Sequence, residues 1–379
     1  MLRFRTLADD WAAGGDNFLL LRFIAAALVI YGHAPAIVGS DAQDFFLRLG
    51  WGRYSGAIAV DLFFVISGFL VTASWQRHPH FGDFLRARAL RILPAYVVCL
   101  LATALVLGPL CTTLAPASYF SQPQTWRYLW TNLHFGPHLA WRLPGVFVDH
   151  ATQTVNGSIW TLPIEVSLYA GVAAFGLFGL LKRTWCSSLL LALAAIAVAI
   201  WVEPNVKTPY PDYLHMAGLF ALGSLCWIWR QRVPNHGGVA LACAALTWLA
   251  HDTPVATRLF SLAETAFVFW FAYRLGTASS PLRRFNRCGD YSYGLYLWGY
   301  PAQQVAVAIV GSQSTAFNAV CGFAIALPIA MASWHWIEAP ALRYKRSKPL
   351  SHRADDAMPL PNARGGPHKN EAHPVVSNQ

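Results

Sequence analysis

Long apolar runs separated by short polar stretches recur along nearly the whole chain. A helix needs about 20 mainly apolar residues to cross the hydrocarbon of a bilayer. Ten segments approach or meet that length: 18–38, 57–75, 89–109, 158–181, 187–203, 213–229, 238–250, 258–276, 291–310 and 316–337, the seventh being short. Runs of this kind predict helices, because a helix satisfies its own backbone hydrogen bonds in lipid. The expected fold is all-α: a polytopic integral membrane protein of about ten transmembrane helices. No internal repeat is visible. Residues 110–157 and those after Pro340 are the long non-spanning parts. The domain organisation is then a transmembrane unit over 1–342 and a basic, polar tail over 343–379, whose composition predicts disorder.

Composition agrees with that pattern. Charged residues make up 12% of the chain, against about 25% in soluble domains, and the mean hydropathy is +0.38. The first apolar run follows Asp9, Asp10 and Asp16 and lacks a small-residue cleavage site, so it reads as a span and not a signal peptide. Lys and Arg stay on the cytoplasmic side. With the N-terminus inside and ten spans, Arg77, Arg86, Lys182, Arg183, Arg230, Arg232, Arg283, Arg284, Arg287 and the basic tail share that side, and both termini are cytoplasmic. This bias accounts for a net charge of +10 without nucleic acid, so none is expected as a partner. Membrane lipid is the expected surrounding, in an inner or plasma membrane. The seven cysteines form no C-x-x-C pair and read as small buried hydrophobes.

Ionisable residues inside spans are costly and mark function. Here they form two layers. Arg22, Arg88 and Arg91 form an inner one. Arg88 and Arg91 are three apart in FLRARALRILPAY and share a helix face. Two guanidinium forks on one face suit a phosphate or pyrophosphate; the bland alternative is anchoring by snorkelling arginines. His33, late in the first span, forms an outer layer with Asp61 and Glu165, early in the second and fourth, and Glu264 is a candidate member. A His beside a carboxylate can deprotonate a hydroxyl; the alternative is a polar cluster that only ties helices together. Arg22 and His33 are close to three helical turns apart, hence on one face and ~16 Å apart along the axis. A ligand with an anionic end at Arg22 and a reactive end at His33 would fit. Acyl-CoA has that shape, and so does any long anionic amphiphile.

Six motifs carry these residues in order. They are LRFIAAALVIYGH, with Arg22-x10-His33; GAIAVDLFFVISGFL, with Asp61, Phe63, Phe64, Ser67 and Gly68; RARALRILPAY, with Arg88 and Arg91; SIWTLPIEVSLY, with Trp160, Glu165 and Tyr169; YSYGLYLWGYP, with Ser292, Tyr293, Tyr296 and Pro301; and WHWIEAP, with Glu338 and Pro340. Together, from Leu21 to about Pro340, they resemble the acyltransferase-3 family of membrane-bound acyltransferases. The resemblance implies transfer of an acyl group, acetyl by default, from cytoplasmic acyl-CoA to an acceptor hydroxyl, commonly on a glycan, with no metal. It implies that His33 is catalytic, as base or transient acyl carrier. Glu165 carries over as the essential motif carboxylate, with Asp61 as a second candidate to orient His33. Arg22, Arg88 and Arg91 carry over to CoA binding, and Trp160, Tyr169, Tyr293 and Tyr296 to substrate contact. One departure is that the fifth motif usually reads Tyr-Leu-x-His-x-Pro, and Gly299 stands in place of that His. Many relatives carry a further extracytoplasmic hydrolase-like domain, for which the polar tail leaves no room. The protein is then expected to act alone or to pass its product to a partner protein, with a homo-oligomer left open.

Weaker signals have plainer readings. Trp126, Trp130 and Trp141 in the outer segment read as interface anchors before sugar platforms. His134 and His138 have metal-ligand spacing on a helix but no third ligand. Glu338 is expected to pair with an arginine. Asn156-Gly-Ser158 matches a glycosylation sequon. A secondary transporter or glycolipid flippase is the competing function, since spans and intramembrane charges fit it too. Against it, no paired half-repeats with matching broken helices are visible.

Overall fold

The computed structural model describes residues 5–136, 138–182, 213–251, 253, 255–275, 285–311 and 313–344. Among these residues the chain is helical, with two isolated β-bridges and no strand. The predicted span 187–203, Arg183, Cys186, Arg283, Arg284 and nearly all of the predicted tail lie outside the described residues. Ten helices organise the rest: α1 (Phe18–Val38), α2 (Ser55–Arg77), α3 (Phe81–Cys111), α4 (Pro123–Leu133), α5 (Leu162–Leu177), α6 (Tyr213–Ile228), α7 (Gly237–Leu249), α8 (Ala256–Arg274), α9 (Ser292–Val310) and α10 (Thr315–Arg343). Five of them are long and apolar enough to cross a membrane: α1, α2, α3, α5 with its leading 3-10 turn, and α10. Helix α3 starts at Phe81, about two turns before the apolar run does, because His80 caps it by accepting from the Asp83 N–H. Arg88 and Arg91 are therefore held within a formed helix and not at a fraying end.

Glycines set the helix spacing. Between helices in lipid there is no hydrophobic drive, so small residues that allow close approach carry the packing. A Cβ at Gly68 of α2 would strike the Phe220 carbonyl of α6, and one at Gly223 of α6 would strike the Val65 carbonyl of α2. Thr72 Oγ1 donates to Ser224 Oγ at 2.9 Å across the same crossing. Helices α2 and α6 thus run parallel in contact along their length. Gly68→Val is expected to cost at least the ~1–3 kcal/mol of stability typical of overpacking, and so to lower the thermal midpoint of the detergent-solubilised protein. An unchanged midpoint in a thermal-shift assay would show that this crossing can open freely.

Helices α1 and α9 also run parallel. Arg22 meets Asp290 just before α9, Ile30 meets Gly299, and the ring of His33 meets that of Tyr300. Gln303 Nε2 ties the pair by donating to the Ile30 carbonyl at 2.8 Å. Pro301 lies inside α9 and has no N–H to offer the Leu297 carbonyl four residues back. Asn156 Nδ2 donates to that carbonyl at 2.9 Å instead. Asn156 is 1% exposed. Its place in a sequon is therefore coincidental, because its amide is committed to repairing α9.

Candidate functional site

A cavity of about 440 Å3 lies among α1, α2, α3, α5 and the start of α9. Arg22, Arg88 and Arg91 line it, as do Glu165, Tyr169, Tyr293 and Tyr296. Trp160 does not; it is half-buried and packs on the apolar core.

The arginines are not equivalent. Arg22 Nη1 donates to Asp290 Oδ2 at 2.9 Å, and Arg91 Nη2 donates to the same oxygen at 2.6 Å. Arg91 Nη1 also lies 3.5 Å from Glu338 Oε2, the arginine pairing expected for that carboxylate. A π-turn at Trp334–Glu338 brings Glu338 to this position, where Ser333 Oγ donates to it at 2.9 Å. Burial would push the Asp290 carboxyl up, but Arg22, Arg91 and Ser292 hold it down at about 2. It is therefore anionic at neutral pH and offsets part of the local positive charge. Among the described residues Arg88 has no ion-pair partner, and its buried Nε–H donates to no acceptor. Its guanidinium instead stands 5.7 Å from the centre of the Tyr169 ring and 5.9 Å from that of Phe84. Arg77 also lines the cavity.

The carboxylates fall into two places. Tyr169 OH donates to Glu165 and shares a 3.2 Å hydrogen bond with Ser67 Oγ, which aligns α5 with α2. Glu165 thereby faces the arginine cavity. Asp61 is fully buried elsewhere: Arg53 Nη2 lies 2.8 Å away and His215 Nε2 3.1 Å away, with Glu264 beside it. The parallel contact of α6 with α2 brings His215 opposite Asp61. Neither carboxylate reaches His33. Helix α1 crosses α2 where Gly32 meets Gly56. Asp61 is five residues and Glu165 about seven residues' depth from that crossing, or ~7 Å and ~11 Å towards the Arg22 end. The expectation of His33, Asp61 and Glu165 at one depth is thus corrected by helix register.

His33 stands against the Tyr300 ring, with centroids 5.1 Å apart at 71°. Its Nδ1 is buried and has no hydrogen-bond partner among the described residues. It does not line the arginine cavity. Phe63, packed edge-on to Tyr296, lines the arginine cavity with it, and the Tyr296 hydroxyl is 2.6 Å from Thr161 Oγ1. One face of α9 connects the parts: Tyr293 and Tyr296 border the cavity, and Tyr300 follows one turn on at His33. Arg22 and His33 mark the matching face of α1.

A family model for an acyltransferase domain matches residues 17–335. The chain belongs to the acyltransferase-3 family. It is therefore an acyltransferase, which the transporter reading did not require. Relatives include nodulation protein 10 of Rhizobium leguminosarum bv. viciae, 28% identical over 88% of this chain and 94% of that protein. An O-acetyl transferase of Shigella phage Sf6 is 26% identical over 76% of this chain and 84% of its own. A peptidoglycan O-acetyltransferase of Listeria monocytogenes is 23% identical over 78% of this chain but 53% of that protein. No solved structure matches.

Some residues at the site went unnoticed in the sequence. Asp290 directly precedes the YSYGLYLWGYP motif and was legible from that position, whereas Arg77, Arg53 and His215 carry no local signal. His134 and His138 are not on one helix face, since α4 ends at Leu133. Cys288 is exposed and departs from the buried-thiol expectation. Gly299, the departure from the family pattern, has a packing cause: a Cβ there would lie 2.6 Å from Ile30 Cγ1. Gly299→His is accordingly expected to lose folded protein and turnover, and Ile30→Ala in the same chain to recover the folded yield. Wild-type turnover in the single variant would show that α1 and α9 part easily.

Proposed function

We propose that this acyltransferase moves an acyl group, acetyl by default, from cytoplasmic acyl-CoA to a hydroxyl of an extracytoplasmic or lipid-linked glycan, in an inner or plasma membrane. The proposal keeps the ten-span arrangement with both termini inside, so that the arginine cavity opens to the cytoplasm. The observation that supports it is the shared face of α9, on which Tyr293 and Tyr296 border the arginine cavity and Tyr300, one turn further on, meets His33 of α1. Arg22, Arg88 and Arg91 would hold the CoA phosphates, joined by Arg77. Tyr169 and Tyr293 wall the path of the pantetheine arm. Glu165 and Asp61 act at a distance from the imidazole, Glu165 on the cavity and Asp61 in fastening α2 to α6.

The bound donor supplies a thioester carbonyl as electrophile. The acceptor oxygen forms the new C–O bond, the C–S bond breaks, and the hydroxyl proton passes by way of His33 to the departing thiolate. In the alternative route the imidazole takes the acyl group first and the acceptor then removes it. Both routes need a ring nitrogen free of other bonds, and the unpartnered Nδ1 of His33 supports either. No described carboxylate is needed to aim the ring, since contact with Tyr300 restrains it.

The test is equilibrium binding of radiolabelled acetyl-CoA, and of longer acyl-CoAs, to purified protein in lipid nanodiscs, with release of free CoA as the second readout. Saturable binding and thiol release are expected. Folded protein that neither binds nor cleaves any acyl-CoA would sink the donor assignment.

A further inference from the structure

A second cavity, of about 480 Å3, lies among α1, α7 and α8, and among the described residues it shares no lining with the arginine cavity. That volume falls in the roughly 300–1,000 Å3 range of small-molecule sites. Leu21 and Leu28 line it from α1, on a face turned ~140° from His33 by helical geometry. Phe260 and Phe271 line it from α8, so it is a slot that runs ~16 Å along that helix. Trp51 bounds one end, its ring 5.2 Å from that of Phe260. Trp270 bounds the other, over Gly237, where a Cβ would lie 2.8 Å from Trp270 Nε1. Ile24, Leu241 and Phe267 line the slot and are exposed, so it opens sideways.

Glu264 is the one ionisable residue on this apolar lining among the described residues. It is 5% exposed, and both its carboxyl oxygens are buried without a hydrogen-bond partner among the described residues. Its neighbour Asp61 is differently placed: Arg53 Nη2 lies 2.8 Å from it and His215 Nε2 3.1 Å. A proton carried by Glu264 and donated to Asp61 would still leave the second Glu264 oxygen without a donor. Glu264 stands ~12 Å into α8, a depth at which the ten-span arrangement offers hydrocarbon and no water. A buried acceptor without a donor is costly, and this one faces a slot of ligand size.

We infer that the slot binds a membrane lipid alcohol, an extended apolar chain bearing one neutral hydroxyl that donates to Glu264. A chain with no donor would leave the carboxyl oxygens unpaired. An anionic head would meet both Glu264 and Asp61. An ammonium would have to shed its water at hydrocarbon depth, a heavy cost for an ion and a much smaller one for a hydroxyl. The occupant is a resident lipid and not the acyl acceptor, since the slot faces away from His33. Its chain fills the space between α1 and α8, and its hydroxyl completes the polar cluster that fastens α2 to α6. The inference rests on α1 and α8 crossing the membrane, as proposed above, and on nothing about the donor.

The test uses the full chain in nanodiscs without acyl-CoA. Hexadecanol carrying a mid-chain diazirine is photoactivated, and the labelled residues are read by mass spectrometry. Hexadecanol, its methyl ether, hexadecylamine and palmitate serve as competitors. Label is expected on the slot residues of α7 and α8, and hexadecanol should displace it at least about tenfold better than the other three, as for one hydrogen bond to a carboxyl group. Glu264→Leu is expected to keep the label but lose the preference for the alcohol over the ether. Glu264→Gln retains a carbonyl oxygen and should keep that preference. Ala244→Phe fills the slot from α7 and should lose the label. Equal competition by the ether, or stronger competition by the amine or palmitate, overturns the inference in wild-type protein alone, whether or not Glu264→Leu folds. So does undiminished slot label in folded Ala244→Phe. Absence of label from all of α8 would end the spanning arrangement as well, whereas label on α8 without a preference for the alcohol ends this inference by itself.

Discussion

His33→Ala is expected to abolish acyl transfer while leaving the donor bound. A positioned acid–base group contributes roughly 10²–10⁴ in rate, and an acyl-carrying imidazole at least as much. The loss should fall on kcat, because His33 lies outside the arginine cavity, ~16 Å along α1 from Arg22. Affinity for acetyl-CoA should stay within a few-fold of wild type. The variant is suited to the test, since the ring makes one edge contact with Tyr300 and its Nδ1 bonds to no described group, so truncation strands no partner. Radiolabelled acetyl-CoA binding and CoA release, measured on one preparation, separate the two effects. Turnover that survives in the variant, or donor affinity that collapses with it, would remove His33 from the role assigned to it.

The arginines should divide into one that binds and one that also builds. Arg88→Ala is expected to weaken acyl-CoA binding about 10–100-fold, the range for losing charge-assisted hydrogen bonds of about 1.5–3 kcal/mol, with little change in thermal midpoint. Arg88 has no ion pair among the described residues, so its removal unbalances no buried carboxylate. Arg91→Ala should behave differently. It strips a partner from both Asp290 and Glu338, and breaking a buried pair costs about 3–5 kcal/mol. Folded yield should fall before any binding defect can be read, and Arg91→Lys should recover the yield only in part, since one ammonium replaces a fork that spans two carboxylates. Equal affinities for wild type and Arg88→Ala would show that the donor phosphates lie elsewhere.

The helices were legible because burial in lipid demands long apolar runs, a one-dimensional property. Nine of the ten predicted segments carry a described helix, within a few residues except at the early start of α3 and the late end of α10. Arg22 and His33 were legible as a pair because both lie on one helix, where spacing alone sets the face and the axial distance. The family was legible because its motifs are local strings. The placement of Asp61 was not. It depends on the depth at which α2 crosses α1 and α6, set by Gly32 against Gly56 and by Gly68 against Phe220. Those contacts carry Asp61 to Arg53 and His215, and Tyr169 with Ser67 carries Glu165 to the arginines. Asp290 was legible as the neighbour of a motif, but its pairing was not, because its partners are two arginines 199 and 268 residues away.

The sequence by itself determined that this is an all-helical membrane acyltransferase with basic residues at one end of α1 and α3 and a histidine at the other end of α1. Periodicity, hydropathy and short motifs act within single helices, and that is as far as they reach. Only the tertiary structure decided which helices share a register, and hence that Glu165 joins the arginines, that Asp61 fastens α2 to α6, and that α1 and α9 run side by side from Arg22 and Asp290 to His33 and Tyr300. Helix register is fixed by close packing between residues far apart in the chain, where a glycine on one helix meets a backbone carbonyl on another, and no local pattern encodes that meeting.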